Sequence, residues 1–148
     1  MCGVAGYLSQ YNHGSNNVKL KKLRDDLIHR GPDGSGIFNC NKYNVALVHT
    51  RLAIIDLSIS ANQPMKSIDS KIVLSFNGEI YNYIELRDEL KKDGIHFRTS
   101  SDTEVILELY KKYRKVENFE KIFLNRLNGI FAIAIWDEDF GKMMISRD

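Results

Sequence analysis

A cysteine directly behind the initiator methionine is the first residue of this chain that could carry out chemistry. Removal of Met1 would leave a thiol and a free α-amine on the same residue. A thiolate is a strong nucleophile, and an α-amine, whose pKa is ordinarily about 7.7–8.0, can accept the thiol proton near neutral pH. Cys2 is therefore a candidate N-terminal nucleophile, although a cysteine in this position is by itself more often incidental.

An arginine in an apolar segment is the second candidate. Arg51 precedes a run that is apolar up to residue 55, and its burial there is costly unless the guanidinium meets an anion. Two interpretations stay open at this point. The arginine forms a structural salt bridge with Asp33 or Asp56, or it binds the carboxylate of a substrate through two parallel hydrogen bonds.

The dipeptide Asn77-Gly78 follows a strand-like apolar segment. Asn-Gly is a common turn sequence, and a turn would explain it fully. An asparagine amide beside a glycine N–H also supplies two donors for an oxyanion, and glycine lets the main chain approach a reacting carbonyl closely. The pair is therefore either a turn or an oxyanion hole.

Two acidic residues complete the set. Asp102 lies in the first turn of a predicted helix, where a negative charge suits the helix N-terminus in any protein. Alternatively, Glu79 and Asp102 together bind a substrate ammonium group. With Arg51 on a carboxylate, the set describes a pocket for a free amino acid, and Cys2 with Asn77-Gly78 would then act on its side-chain acyl group.

The elements that must position these residues follow from hydrophobic periodicity and turn residues. Strands are predicted at residues 4–8, 34–38, 45–49, 72–76, 130–136 and 142–146, and a polar loop at 11–17. Helices are predicted from residue 20 to near Arg30-Gly31-Pro32, over 83–92 and 116–123, and from a capping box of Ser101 and Glu104. Asn77-Gly78 is expected to end the strand before it, and strand 130–136 to be buried on both faces. This order favours an α+β domain in which helices cover antiparallel sheets.

The composition is that of one ordinary globular domain of 148 residues, with a formal net charge of +2. The dispersed charge predicts no nucleic-acid or membrane partner. Two cysteines and the absence of a signal-like or membrane-length segment favour a reducing, cytoplasmic location. The four histidines lack metal-ligand spacing, so no metal site is expected. His29 and His49 are interpreted as structural.

Short segments along nearly the whole chain match a known family in the family's order. They are Met1-Cys2-Gly3-Val4-Ala5-Gly6, His29-Arg30-Gly31-Pro32-Asp33-Gly34, residues 49–58, Asn62-Gln63-Pro64-Met65, Phe76-Asn77-Gly78-Glu79-Ile80-Tyr81-Asn82, residues 85–87, Ser101-Asp102-Thr103-Glu104-Val105 and Leu127-Asn128-Gly129. On these segments the chain resembles the N-terminal glutaminase domain of class II glutamine amidotransferases, in the asparagine-synthetase-like branch.

The resemblance implies the four-layer αββα fold of N-terminal-nucleophile hydrolases, with two antiparallel sheets between helical layers. It also implies roles for eight residues. Cys2 is similar to the catalytic nucleophile, with Asn77 and Gly78 as oxyanion donors. Arg51 matches the residue that holds the α-carboxylate of glutamine, and Glu79 and Asp102 match those that hold its α-ammonium. Main-chain atoms around Leu52 and Ile54 are expected to complete the pocket.

The implied function is hydrolysis of glutamine to glutamate through a thioester on Cys2, with ammonia supplied to a synthetase domain or partner, as in glutamine-hydrolysing asparagine synthetase. No cofactor is expected in this domain, and ATP and Mg²⁺ only in the synthetase part. Residues 1–148 are expected to form the glutaminase domain without its last strands. Two alternatives remain: a non-catalytic binding or scaffold domain of the same fold, and a hydrolase of a different amide.

Overall fold

The computed structural model describes residues 2–10 and 17–148. Met1 and most of the loop expected at 11–17 lie outside that part. In chain order the elements are β1 (Gly3–Leu8), α1 (Asn17–Leu27), β2 (Gly34–Cys40), β3 (Val45–Arg51), β4 (Met65–Lys66), β5 (Ile72–Ile80), α2 (Tyr83–Lys92), α3 (Asp102–Tyr113), α4 (Phe119–Leu124), β6 (Gly129–Asp137) and β7 (Lys142–Arg147).

The strands form two antiparallel sheets. The first has the order β1-β3-β2 and the second the order β4-β5-β6-β7. Helix α1 contacts the first sheet, and α3 contacts β4 and β5 of the second while α2 and α4 pack against α3. The expected αββα layers are therefore confirmed.

The main core lies between the second sheet and its helices. One face of β5 and β6 contributes Leu74, Phe76 and Ile133, which pack against Ile106 and Leu109 of α3. These side chains are at most 3 % exposed. This packing fixes the start of α3 against β5, and both elements carry predicted site residues.

The opposite face of β5 points towards the first sheet. Side chains alternate between the two faces of a strand, so Val73, Ser75 and Asn77 share the inner face. On β3, residues 45, 47, 49 and 51 share the face that meets them, because Val45 and Leu47 pack against Val73. The layer between the sheets therefore runs from apolar residues at one end to Arg51 and Asn77 at the other.

The structure corrects one strand boundary that matters for the site. The prediction that Asn77-Gly78 ends the strand was wrong, because β5 continues to Ile80. Residues 78–80 pair with residues 129–131 of β6. Gly78 has φ +149°, and a Cβ there would collide with the carbonyl oxygen of Ile130. The glycine thus lets β5 run close to β6 where most residues could not.

Two further expectations were wrong in part. The helix predicted over 116–123 is shorter, since α4 begins at Phe119 after Asn118, whose left-handed conformation (φ +57°) interrupts a helix. Strand β6 is buried on both faces only in its second half, because Ile130 and Ala132 are exposed. Among the described helices, none combines the length and apolar character needed to cross a membrane.

Candidate active site

All eight residues expected to form the site line one cavity of about 220 Å³. Its mouth lies where β1 begins and where β3 and β5 end, beside the start of α3. Ile54 is 71 % exposed at the rim, whereas Arg51 and Asp102 are 7 % and 5 % exposed. The cavity therefore combines an open entrance with buried charged groups.

Cys2 is held at the end of the first sheet. Gly3 pairs with Thr50, so Cys2 directly precedes β1 opposite the end of β3. The Nε–H of Arg30 donates to the Cys2 carbonyl at 3.2 Å. Strand pairing on one side and the arginine on the other fix the main chain of the candidate nucleophile.

The Cys2 thiol contacts the main chain of Leu52. The Leu52 N–H donates to Sγ at 3.4 Å, and Sγ lies 3.8 Å from the Leu52 carbonyl oxygen. A main-chain donor stabilises a sulfur that carries negative charge. Main-chain atoms of Leu52 therefore line the cavity beside the thiol.

Arg51 is bound by main-chain carbonyls and not by a carboxylate. Its Nη2 donates to the Asp56 carbonyl, and its Nη1 donates to the Ser58 carbonyl at 2.8 Å and to Oδ1 of Asn62 at 3.1 Å. The structural salt bridge to Asp33 or Asp56 is therefore not formed. A guanidinium has five N–H groups, so Nε and one Nη2 hydrogen have no partner among the described residues.

Nε and Nη2 lie on one edge of the guanidinium, and each keeps a hydrogen without a partner among the described residues. An Nε–Nη2 edge is the fork that binds a carboxylate through two parallel hydrogen bonds. Neutral carbonyls position the group without neutralising it. Arg51 therefore keeps both its charge and two unpaired N–H groups for a ligand in the cavity.

The main-chain N–H of Gly78 points towards the same cavity. In β5 the N–H groups of residues 76, 78 and 80 share one edge of the strand. This edge faces away from β6, because the Phe131 N–H donates to Asp148 Oδ1 at 3.0 Å and the Phe131 carbonyl accepts from the Asp148 N–H at 3.1 Å, and neither group bonds to Gly78. The Phe76 N–H donates to Gln63 Oε1 at 2.6 Å, and the Ile80 N–H donates to Asp102 Oδ2 at 3.1 Å. The Gly78 N–H lies between these two satisfied groups.

Asn77 supplies the second polar group at this point. Its side chain lies on the inner face of β5, one residue before Gly78, and both residues line the cavity. Its buried Oδ1 accepts no hydrogen bond from a described residue. The amide and the neighbouring N–H are the two donors that an oxyanion hole requires.

Asp102 and Glu79 place negative charge in the cavity. Burial raises the pKa of the Asp102 carboxyl, the hydrogen bond from the Ile80 N–H opposes that rise, and the charge of Glu79 adds to it. Two neighbouring carboxylates that repel each other gain most from a cation bound between them. The pair is therefore suited to an ammonium group.

Sequence reasoning missed several residues of the cavity wall. They are Ile55, Asp56, Gln63, Phe76, Tyr81, Ser101, Thr103 and Ile130. Gln63 is 6 % exposed, and its Nε2 donates to Thr103 Oγ1 at 3.3 Å. It thus joins the edge of β5 to α3. A glutamine beside Pro64 gave no sequence signal for that contact, which depends on segments distant in the chain.

His49 is structural, as interpreted from the sequence. Its Nδ1 lies 2.9 Å from the Ser75 hydroxyl, which joins β3 to β5 between the sheets. Burial, and then repulsion by Arg51, lower the pKa of His49 from 6.5 to about 4. The imidazole is therefore neutral at physiological pH. Within residues 2–10 and 17–148, no cluster of three or more His, Cys, Asp or Glu residues could hold a metal ion.

Comparison with known proteins agrees with this geometry. The family model for a glutamine amidotransferase domain matches residues 1–148. The chain is 36 % identical over its full length to asparagine synthetase [glutamine-hydrolyzing] 1 of Bacillus subtilis, and 41 % identical to asparagine synthetase [glutamine-hydrolyzing] 1 of Arabidopsis thaliana. It spans 22 % and 24 % of the length of these two relatives.

A solved structure supports the fold independently. Glutamine phosphoribosylpyrophosphate amidotransferase of B. subtilis, complexed with ADP and GMP, superposes with a TM-score of 0.73 over 99 % of this chain and 36 % of that one, at 24 % identity. At that identity the likeness establishes the N-terminal-nucleophile fold alone. Together with the full-length family match and the two relatives, it shows that this chain belongs to the glutamine amidotransferase domain family.

Proposed function

We propose that this domain hydrolyses glutamine to glutamate and ammonia, with Cys2 as the nucleophile. The observation that carries the proposal is the convergence of a thiol, two oxyanion donors, a partly free guanidinium and two carboxylates on one small cavity. These groups match the parts of glutamine one for one: the side-chain amide, the α-carboxylate and the α-ammonium.

Binding uses the two ends of the amino acid. The free Nε–Nη2 edge of Arg51 receives the α-carboxylate, and Asp102 with Glu79 receives the α-ammonium. Because Asp102 must be ionised for this, its raised pKa makes glutamine binding weaken as the pH falls through that value. The side-chain amide then extends towards Cys2.

Chemistry proceeds by acyl transfer. Once Met1 has been removed, the α-amine of Cys2 accepts the thiol proton, and Sγ attacks the amide carbon. Asn77 and the Gly78 N–H stabilise the resulting oxyanion. Collapse breaks the C–N bond, and the proton held by the α-amine leaves with the nitrogen as ammonia. Water then hydrolyses the γ-glutamyl thioester, which releases glutamate and regenerates the thiol.

The ammonia is destined for a synthetase domain or subunit. Both sequence relatives reported above are glutamine-hydrolysing asparagine synthetases, which supports aspartate as the acceptor. In this proposal, ATP and Mg²⁺ belong to that synthetase part and not to this domain, and the protein acts in the cytoplasm.

The test is mass spectrometry of the intact protein before and after treatment with the diazo-ketone analogue of glutamine, followed by peptide mapping. We expect a single adduct on Cys2 that excess glutamine prevents. The Cys2→Ala variant should form no adduct and should lose at least about three orders of magnitude in glutamine turnover. The matched control is Cys40→Ser, which changes the other cysteine and should retain both properties.

An adduct that glutamine does not prevent would show that the cavity does not recognise glutamine. A processed wild-type protein that binds the analogue but releases no ammonia would instead support the non-catalytic alternative. In either case the proposed hydrolysis is wrong.

A further inference from the structure

The segment that follows β3 folds back so that its main-chain carbonyl groups contact the Arg51 side chain. Arg51 donates to the carbonyl oxygens of Asp56 and Ser58, the latter at 2.8 Å. The direction of the guanidinium therefore depends on the course of residues 52–58. Asp56 is 7 % exposed and lines the cavity, although nothing in the proposed chemistry uses its side chain.

The carboxylate of Asp56 reaches a second segment. Oδ1 accepts from the Ser58 N–H at 2.7 Å, and Oδ2 accepts from the Ser100 N–H at 2.7 Å and from the Ser100 hydroxyl at 3.0 Å. Hydrogen bonds from Ser58, and then from Ser100, hold the pKa of Asp56 well below its usual range. The group is thus ionised, and hydrogen bonds to an ionised acceptor are among the stronger ones.

Ser100 stands directly before the helix that carries Asp102. Ser101 is the N-cap of α3, since its hydroxyl accepts from the Glu104 N–H at 3.3 Å, and Asp102 is the first residue of the helix. The Asp56 side chain therefore connects the loop that orients Arg51 with the segment that presents Asp102.

We propose that Asp56 is a positioning residue that fixes the spacing between Arg51 and Asp102, and so selects ligands that carry an α-carboxylate and an α-ammonium on one carbon. This inference rests on the proposed function, in which these two residues hold the two ends of glutamine. Arg51 belongs to the first sheet and Asp102 to a helix on the second, so their separation is set by contacts between layers. Asp56 makes such a contact with two hydrogen bonds from Ser100, and a third, from Ser58, holds its carboxylate within its own loop.

A matched control lies outside the cavity. Asp69, in the turn between β4 and β5, accepts from the Ser67 hydroxyl and from the Lys71 N–H, and these hydrogen bonds also lower its pKa. Like Asp56 it accepts from a hydroxyl and a main-chain N–H, but it is exposed and does not line the cavity. A change at Asp69 therefore reports the effect of losing a carboxylate with these hydrogen bonds outside the cavity.

The test compares two reagents that alkylate Cys2 in the full chain with Cys40→Ser as background. The diazo-ketone analogue of glutamine carries both α groups, whereas iodoacetamide carries neither. The ratio of the two alkylation rates, read by peptide mapping, measures recognition of the α groups separately from the reactivity of the thiol. We expect Asp56→Asn to lower this ratio about tenfold to a hundredfold and Asp69→Asn to change it by less than about twofold.

A ratio that stays at the wild-type value in a folded Asp56→Asn variant overturns the positioning role. A uniform loss of reactivity with both reagents overturns it as well, since that is the signature of a merely structural residue. If Asp56→Asn does not unfold cooperatively, the Ser100→Ala variant is tested in its place, because Ser100 is exposed and its substitution should not prevent folding. Loss of the Ser100 hydroxyl should lower the ratio of alkylation rates about threefold. An unchanged ratio in Ser100→Ala overturns the proposal. If glutamine fails to protect Cys2 in the wild type, the proposed function fails first and this inference with it.

Discussion

The two ends of the layer between the sheets use the same strands for different purposes. At one end, Val45 and Leu47 of β3 pack against Val73 of β5 and Trp136 of β6. At the other end, the same faces of the same strands present Arg51 and Asn77 to the cavity. Apolar contacts are not directional, whereas the polar end depends on where each N–H and oxygen points.

The contact between His49 and Ser75 marks the boundary between these ends. His49 lies two residues before Arg51 on β3, and Ser75 lies two residues before Asn77 on β5. A packed core can therefore provide a rigid base for a site that lies further along the same strands. Changes at the apolar end should therefore alter stability, and changes at the polar end should alter turnover.

Removal of the largest apolar side chain should give the largest effect on stability. Trp136 is 1 % exposed and its ring centroid lies 5.1 Å from that of Tyr43. We expect Trp136→Ala to reduce the free energy of unfolding by about 3–5 kcal/mol, measured by denaturant titration. The folded fraction should keep the wild-type ratio of diazo-ketone to iodoacetamide alkylation. Ile68→Ala, at a 74 % exposed position, is the control that should change neither. Loss of the ratio in folded Trp136→Ala would mean that the two ends are not separable.

Removal of one oxyanion donor should give the opposite pattern. We expect Asn77→Ala to lower kcat for glutamine by roughly 10²–10³, while the free energy of unfolding stays within about 1 kcal/mol of the wild type. Ammonia release and denaturant titration measure the two quantities. Asn41→Ala, in the exposed turn between β2 and β3, is the matched control. Near-normal turnover in Asn77→Ala would remove the asparagine from the mechanism.

His49, at the boundary between the two ends, should make the free energy of unfolding depend on pH. The pKa of His49 is about 4 in the folded protein and 6.5 without its environment, so between these values the unfolded chain binds the proton first. Stability is therefore complete above about pH 6.5 and falls by about 3 kcal/mol as the pH approaches 4. In His49→Gln this loss should disappear, whereas His96→Gln, at an exposed position, should follow the wild type. Subtracting the free energy of unfolding of His49→Gln from that of the wild type at each pH removes the contribution of the carboxylates, which both proteins share. If the two proteins show parallel curves of stability against pH, His49 does not have the lowered pKa assigned to it.

The sequence predicted those helix bounds and caps that depend on interactions between residues close together in the chain. Helix α2 has the predicted bounds, Tyr83–Lys92, because its apolar spacing and the following Gly94 are local signals. The capping residue Ser101 is confirmed, since its hydroxyl accepts from the Glu104 N–H. The side chain of Glu104 instead accepts from the N–H groups of Arg98 and Thr99.

The rest depends on contacts between distant segments. Nothing near Asn77-Gly78 distinguishes a turn from a strand that continues, because pairing with β6 decides it. The resemblance supplied the eight site residues, and the cavity contains all of them, but their partners were not visible in any motif. Asp56 and Ser100, separated by 44 positions, and Gln63 with Thr103 are pairs that only the folded chain brings together.

The close approach of β5 to β6 at Gly78 also limits which mutations the gene can accept at this position. Every other genetically encoded residue carries a Cβ, and at this position that atom would meet the carbonyl oxygen of Ile130 in the neighbouring main chain. Side chains can rotate away from an intruding atom, but a paired main chain has no alternative rotamer. Any missense mutation in codon 78 therefore disturbs both the strand pairing and the candidate site. A second mutation cannot relieve the clash by shortening a side chain, because the atom in the way belongs to the main chain.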